Sequence, residues 1–267
     1  MWKLVLAVGL FLTLAGPAAA QSTHRSYSGA TASFAGAGAP GEWTSQARDY
    51  ANTRYSPLDQ INSDNVDRLK IAWTFSDGTQ YGHEGAPLVI GDTMYLVAPY
   101  PNTAYALDLT KPGPAIKWKF DPNPSPQAIG KACCDAVLRG WAYADGKLIY
   151  NLLDDNTVAV DVATGKEVWR TKMDRVEHGV TMTQSAFAAD GKVFVGNSGG
   201  EMGVNGWLAA LDVKTGKELW RAHAVGPDTD VRIGAGFSPY YDWMKGKDLG
   251  VKTWPADAWN TGAGASW

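Results

Sequence analysis

Ala159-Val160-Asp161-Val162-Ala163-Thr164-Gly165-Lys166-Glu167-Val168-Trp169 returns as Ala210-Leu211-Asp212-Val213-Lys214-Thr215-Gly216-Lys217-Glu218-Leu219-Trp220, 51 residues later in a chain of 267. A weaker echo begins at Ala106-Leu107-Asp108 and reaches Trp118, and Trp73 stands 45 residues before that. Between the copies lie short β-like runs joined at Gly91-Asp92, Asp145-Gly146 and Asp190-Gly191, the turn chemistry of tight hairpins. A unit of this period built from four short strands is the signature of a β-propeller blade. A tryptophan that recurs at one place in each unit is read as the residue docking one blade on the next, a role that suits its large apolar surface. The predicted fold class is therefore all-β, a propeller of four-stranded, tryptophan-docked blades over residues 42–267, about four of them present.

Composition agrees, with 30 Gly and 12 Trp and no convincing long amphipathic helix. The net charge of −3 argues against a nucleic-acid partner. Met1-Trp2-Lys3, the uncharged run Leu4 to Ala15 and Gly16-Pro17-Ala18-Ala19-Ala20 read as a signal peptide over residues 1–20. Its apolar core is too short to cross a bilayer as a helix, and no later run approaches the length needed, so no membrane span is expected. Export to the periplasm is the corresponding expectation. Residues 21–41, rich in Ala and Gly, read as a flexible lead-in.

The repeats also show where the chain leaves pure architecture. Trp118 to Asp145 is 27 residues, whereas Trp169 to Asp190 is 21; Asp190 to Thr215 is 25, whereas Asp145 to Thr164 is 19. One excess contains Ala132-Cys133-Cys134-Asp135, with the only two cysteines of the chain, and the other contains Asn197-Ser198-Gly199-Gly200-Glu201-Met202-Gly203. Loops inserted on a rigid repeat scaffold are where function is usually carried. A bond between adjacent cysteines closes almost no loop and is strained, so it would be a poor staple and would point to a local purpose. Two reduced neighbours are the other reading, and an oxidising compartment favours the bond.

With these loops on a tryptophan-docked propeller, the chain resembles the pyrroloquinoline quinone (PQQ) dependent alcohol dehydrogenases, the periplasmic methanol/ethanol dehydrogenase group in particular. The likeness runs from Trp43 onward. It rests on Gly82-His83-Glu84-Gly85-Ala86-Pro87-Leu88, Cys133-Cys134-Asp135 with Arg139-Gly140, Thr181-Met182-Thr183-Gln184, Ser198-Gly199-Gly200-Glu201, and the closing Thr253-Trp254, Asp257-Ala258-Trp259 and Gly264-Ala265-Ser266-Trp267. The resemblance implies a Cys133–Cys134 disulfide ring on one face of the flat cofactor and Trp267 stacked on the other. It implies Arg139 near the quinone oxygens as the catalytic cation, where a fixed positive charge stabilises developing negative charge. Glu84, Thr183, Ser198, Gly199 and Gly200 would hold the cofactor's carboxylates and ring edge, and the anionic Glu84 would need an arginine or a protonated partner beside it. Glu201 would bind the metal, Ca2+ or a lanthanide, since hard cations want carboxylate oxygens. Taken singly, Glu201 is an ordinary loop acid, Thr183 an ordinary strand residue and Ser198-Gly199-Gly200 an ordinary turn; it is their joint order that carries the match.

The implied activity is oxidation of a small primary alcohol to the aldehyde, with electrons passed to a cytochrome c; a homodimer is also expected. The family closes with eight blades, so the chain reads as an N-terminal half that stops before the family's catalytic aspartate, and the piece alone is expected to lack turnover. The alternative is a non-enzymatic propeller of PQQ-like repeats that scaffolds outer-membrane assembly, which shares the Ala-x-Asp, Thr-Gly-Lys and Trp pattern. A membrane-bound sugar-oxidising quinoprotein would carry several N-terminal spans, which this sequence lacks.

Overall fold

The computed structural model describes residues 38–132, 134–232, 243–261 and 264–265. The expected signal peptide, most of the lead-in, Cys133 and Trp267 lie outside the described residues. Three four-stranded antiparallel sheets follow one another along the chain. The first is β1 (Leu88–Ile90), β2 (Thr93–Val97), β3 (Ala104–Asp108) and β4 (Ala115–Phe120). The second is β5 (Ala142–Ala144), β6 (Lys147–Asn151), β7 (Asn156–Asp161) and β8 (Glu167–Lys172). The third is β9 (Phe187–Ala189), β10 (Lys192–Gly196), β11 (Trp207–Asp212) and β12 (Glu218–His223). Within each sheet, strands adjacent in sequence are adjacent in space. The three two-residue hairpins sit where their Gly/Asp pairs place them: Ile90 faces Thr93, Ala144 faces Lys147 and Ala189 faces Lys192.

The central strands are buried on both faces, which is how the sheets stack. In β6, Ile149 joins Ala159 and Trp169 in one core with Val193, Val195, Trp207 and Leu211 of the third sheet. Its neighbours Leu148 and Tyr150 point the other way, into a core with Leu88, Tyr95, Ala104 and Ala106 of the first. Alternation with period two thus serves two interfaces at once, because successive side chains leave a strand on opposite faces.

Two of the repeated tryptophans, Trp118 and Trp169, dock on the next sheet as expected. Trp118 donates Nε1–H to the Val162 carbonyl at 3.1 Å, and Trp169 donates to Val213, also at 3.1 Å. Each ring lies over the glycine of the next sheet's Thr-Gly-Lys turn, so that a Cβ on Gly165 would sit 2.6 Å from Trp118 Cδ2 and one on Gly216 would sit 2.5 Å from Trp169 Cε3. Gly146 has nearly the same backbone as Gly165 (φ +70° against +71°) but open space around it. Gly146→Ala should therefore cost only left-handed backbone strain, about 1 kcal/mol, and Gly165→Ala should add a steric cost of about 1–3 kcal/mol. Equal urea midpoints for the two variants would refute the docking account. Arginines repeat the same stitching: Arg170 donates to the Pro122 carbonyl (3.0 Å) and Arg221 to that of Met173 (2.8 Å), each held by a glutamate three residues earlier.

Trp73 departs from the series. It lies ahead of β1 in an extended segment with no strand partner among the described residues, although side chains from Trp73 to Tyr81 alternate half-buried and exposed. A single strand without a neighbour cannot form a ladder, so three sheets rather than four are seen. Upstream, residues 43–50 run across the inner strands of all three sheets. Trp43 pairs with Val89 beside β1 in both directions (2.8 and 2.9 Å), and Tyr50 Oη donates to the Ala188 carbonyl in β9 at 3.0 Å. Among the described residues no helix is long and apolar enough to cross a membrane.

Candidate functional site

In an antiparallel meander every second connection emerges at the same end. The two inserted loops therefore share one face of the fold, opposite the Gly/Asp hairpins. The same face receives the residues just before each innermost strand: Glu84 before β1, Arg139 before β5 and Thr183 before β9. The inner edges of the sheets bond directly there, with the Arg139 N–H donating to the Thr183 carbonyl at 3.1 Å.

The side chains continue that connection. Arg139 Nε lies 3.0 Å from Glu84 Oε2, Arg139 Nη1 donates to Thr183 Oγ1 at 2.8 Å, and Thr183 Oγ1 is 3.0 Å from Ser198 Oγ. Four of the residues singled out in the sequence thus form one polar line across three sheets. Ser198 is held in place by its N–H to the Thr181 carbonyl, 2.7 Å. Thr183 and Ser198 are buried, whereas the side chains of Arg139 and Glu84 are 25% and 45% exposed, so the charged end of the line opens to solvent.

Ser198 leads into the second insertion. Gly199 has φ +108°, and a Cβ there would strike the Gly179 carbonyl oxygen, so only glycine fits. Gly200 and Gly206 lie against the backbone around Gly264 and Ala265. The segment that ends at Trp267 is in this way brought onto the inserted loop, although Trp267 itself lies outside the described residues. Glu201 is exposed in the short 3-10 turn Gly200–Met202. Among the described residues no group of three or more His, Cys, Asp or Glu side chains gathers as a metal site, so Glu201 is one carboxylate without a completed ligand set.

The cysteine loop is anchored beside Glu84. Asp135 Oδ2 accepts the Gly82 N–H at 3.4 Å, the Tyr100 N–H donates to the Ala136 carbonyl at 2.9 Å, and Ala136 packs with Leu153, Val176, Tyr81 and Tyr100. The expected Cys133–Cys134 pairing involves Cys133, which lies outside the described residues; Cys134 is exposed.

Three features escaped the sequence reading. Gln46, from the segment crossing the inner strands, donates its amide Nε2–H to the Arg139 carbonyl. His83 Nε2 sits 2.7 Å from Asp77 Oδ2, one residue before Glu84. Burial pushes the Asp77 carboxyl up, but its hydrogen bonds from Thr79 and His83 outweigh this and hold it below the usual carboxylate range. Asp155, in the β6–β7 turn on this face, is fully buried, and neither carboxylate oxygen has a hydrogen-bond partner among the described residues. No local pattern marks Gln46 or Asp155; only the His-Glu pair at positions 83–84 carried a visible motif.

One guanidinium, two hydroxyls and a glycine-lined turn on one face suit a flat ligand bearing carboxylates and carbonyl oxygens: the hydroxyls and the arginine are donors, and the glycine permits close backbone approach.

Comparison with known proteins places this face in context. Residues 43–232 match the family described as the glucose/ethanol/alcohol dehydrogenase β-propeller domain, PQQ. The chain is 48% identical over 228 residues to the lanthanide-dependent methanol dehydrogenase of Methylacidiphilum fumariolicum (strain SolV), covering 85% of this chain and 37% of that protein. It is 42% identical over 231 residues to methanol dehydrogenase [cytochrome c] subunit 1 of Methylobacterium organophilum, covering 84% of this chain and 37% of that one. Among solved structures, a europium-containing methanol dehydrogenase superimposes with a TM-score of 0.81 at 48% identity, over 85% of this chain and 40% of its own. The chain spans well under half the length of each of these proteins.

Proposed function

Because the chain belongs to the PQQ family of glucose/ethanol/alcohol dehydrogenase β-propellers, we propose that it forms the cofactor-holding part of a PQQ-dependent enzyme that oxidises a small primary alcohol, of the methanol or ethanol kind, to the aldehyde. The observation that carries this reading is the continuous line Glu84–Arg139–Thr183–Ser198. When bound, PQQ supplies the two-electron acceptor. The chain's own residues bind and tune it. Arg139 offers a fixed cation to oxygens that become more negative on reduction. Glu84 holds the guanidinium from one side and Thr183 from the other, so its direction is set before any ligand arrives. Ser198, through Thr183, extends the donor set, and Gly199 and Gly200 let backbone approach the ring edge.

Cys133, Cys134 and Trp267 are proposed as the two flat faces, with the cysteines joined as a disulfide. Glu201 is proposed as one ligand of a Ca2+ or lanthanide ion. That carboxylate would supply one hard oxygen ligand to the ion. A cytochrome c is proposed as the electron acceptor, with export to the periplasm by the segment 1–20 and assembly as a homodimer. The scaffold alternative explains the repeats equally well but leaves the polar line without a purpose.

The test is titration of PQQ into the purified protein at its natural full length, followed by tryptophan quenching, with methanol- and ethanol-dependent reduction of an artificial acceptor in the presence of Ca2+ or La3+. Saturable binding with alcohol-dependent turnover is the expected result. A protein that neither quenches nor turns over would reduce the likeness to one of fold.

A further inference from the structure

Arg139 is held at its backbone as well as at its side chain. Its N–H donates to the Thr183 carbonyl at 3.1 Å, and its carbonyl accepts the Gln46 amide from a segment 93 residues away. The backbone alternative for that carbonyl, the Ala86 N–H, stands at 3.5 Å, long for a hydrogen bond of any strength. Gly140, the next residue, has φ +137°, and the Gln46 amide fills the space a Cβ would need, with Ser185 Oγ 3.3 Å from the same point. The 139–140 peptide therefore sits in a conformation that glycine permits and that Gln46 fixes.

We infer that Gln46 is a positioning residue for Arg139: it clamps the 139–140 peptide and so aims the guanidinium along the Glu84–Thr183 line toward the redox ligand. The inference rests on the PQQ reading above. A flexible side chain at the end of a peptide free to rotate loses the placement, within about 0.5 Å, that a preorganised site needs. The rest of the crossing segment does not share this task. Tyr50 makes the same kind of bond, side chain to carbonyl, but to Ala188 in β9, away from Arg139.

The experiment compares wild type, Gln46→Met (similar length, no donor) and Tyr50→Phe in the protein at its natural full length, titrated with oxidised and with reduced PQQ. Gln46→Met is expected to raise the Kd for oxidised PQQ about tenfold, while Tyr50→Phe changes it less than twofold. The loss for reduced PQQ should be about tenfold larger again, which lowers the midpoint potential of the bound cofactor by about 30 mV for this two-electron couple. A generic bracing role would weaken both variants alike and leave the potential unmoved, and that result would overturn the inference. Wild-type binding with unaltered Gln46→Met would overturn it too, leaving the PQQ reading intact. No binding by wild type would overturn the PQQ reading and the inference together.

Discussion

Asp155→Asn flattens the pH dependence of stability and stabilises the protein most above neutrality. Burial pushes the Asp155 carboxyl up to about 8 from the ordinary 3.8; Lys172 opposes the shift, and Asp174, Asp154 and Glu177 add to it. Between pH 3.8 and pH 8 the folded protein thus keeps a proton that the unfolded chain has released. Stability from this group is fully present below pH 3.8 and drains away as pH rises through that window. By pH 7 the loss amounts to about 4 kcal/mol. Asparagine has the same shape and no proton to lose. The first sheet already uses it at the matching place: Asn102 is buried, has φ +63° against +66° for Asp155, and accepts the Leu153 N–H at 3.0 Å. Thermal melts of both proteins from pH 4 to pH 8.5 should converge at the acid end and separate steadily toward the alkaline end. Parallel curves would mean that Asp155 is ionised, and compensated, in the native state.

Arg139→Met should cost the site its affinity and leave the fold standing. The side chain is a quarter exposed and makes no part of the apolar cores, so its removal should shift the melting temperature little. A charge-assisted hydrogen bond is worth about 1.5–3 kcal/mol, which corresponds to a loss of PQQ affinity of roughly ten- to a hundredfold. Arg139→Lys should recover little, because an ammonium cannot reach Glu84 and Thr183 at once with a planar fork. Fluorescence titration measures the affinities and circular dichroism checks the fold. A variant that binds PQQ as wild type does would remove Arg139 from the site and with it the reason for the Glu84–Arg139–Thr183–Ser198 line.

Blade architecture was legible because its signals are local. The Asp-Gly hairpins, the Thr-Gly-Lys turns and the tryptophans act within one repeat or on the next, and each recurs at a regular distance, 51 residues for the turns and for Trp118, Trp169 and Trp220 and 45 for Asp145-Gly146 and Asp190-Gly191. Trp73 has the spacing of a blade tryptophan, but among the described residues no strands lie beside it to make a sheet. The candidate site was legible only as a set of types in order. Glu84, Arg139, Thr183 and Ser198 could be picked out, yet nothing in the one-dimensional order says that they form a single line rather than four separate loop residues.

By itself the sequence determined the repeat, the turn chemistry, the docking tryptophans and the two inserted loops, because each depends on neighbours close along the chain or one period away. Tertiary structure alone decided that Gln46 reaches Arg139 across 93 residues, that Asp155 loses all contact with water, and that the chain near Ala265 returns to the loop of Gly200. Those outcomes follow from how three sheets stack and where the crossing segment comes to rest. Burial and long-range hydrogen bonds are properties of that packing, and no short stretch of residues encodes them.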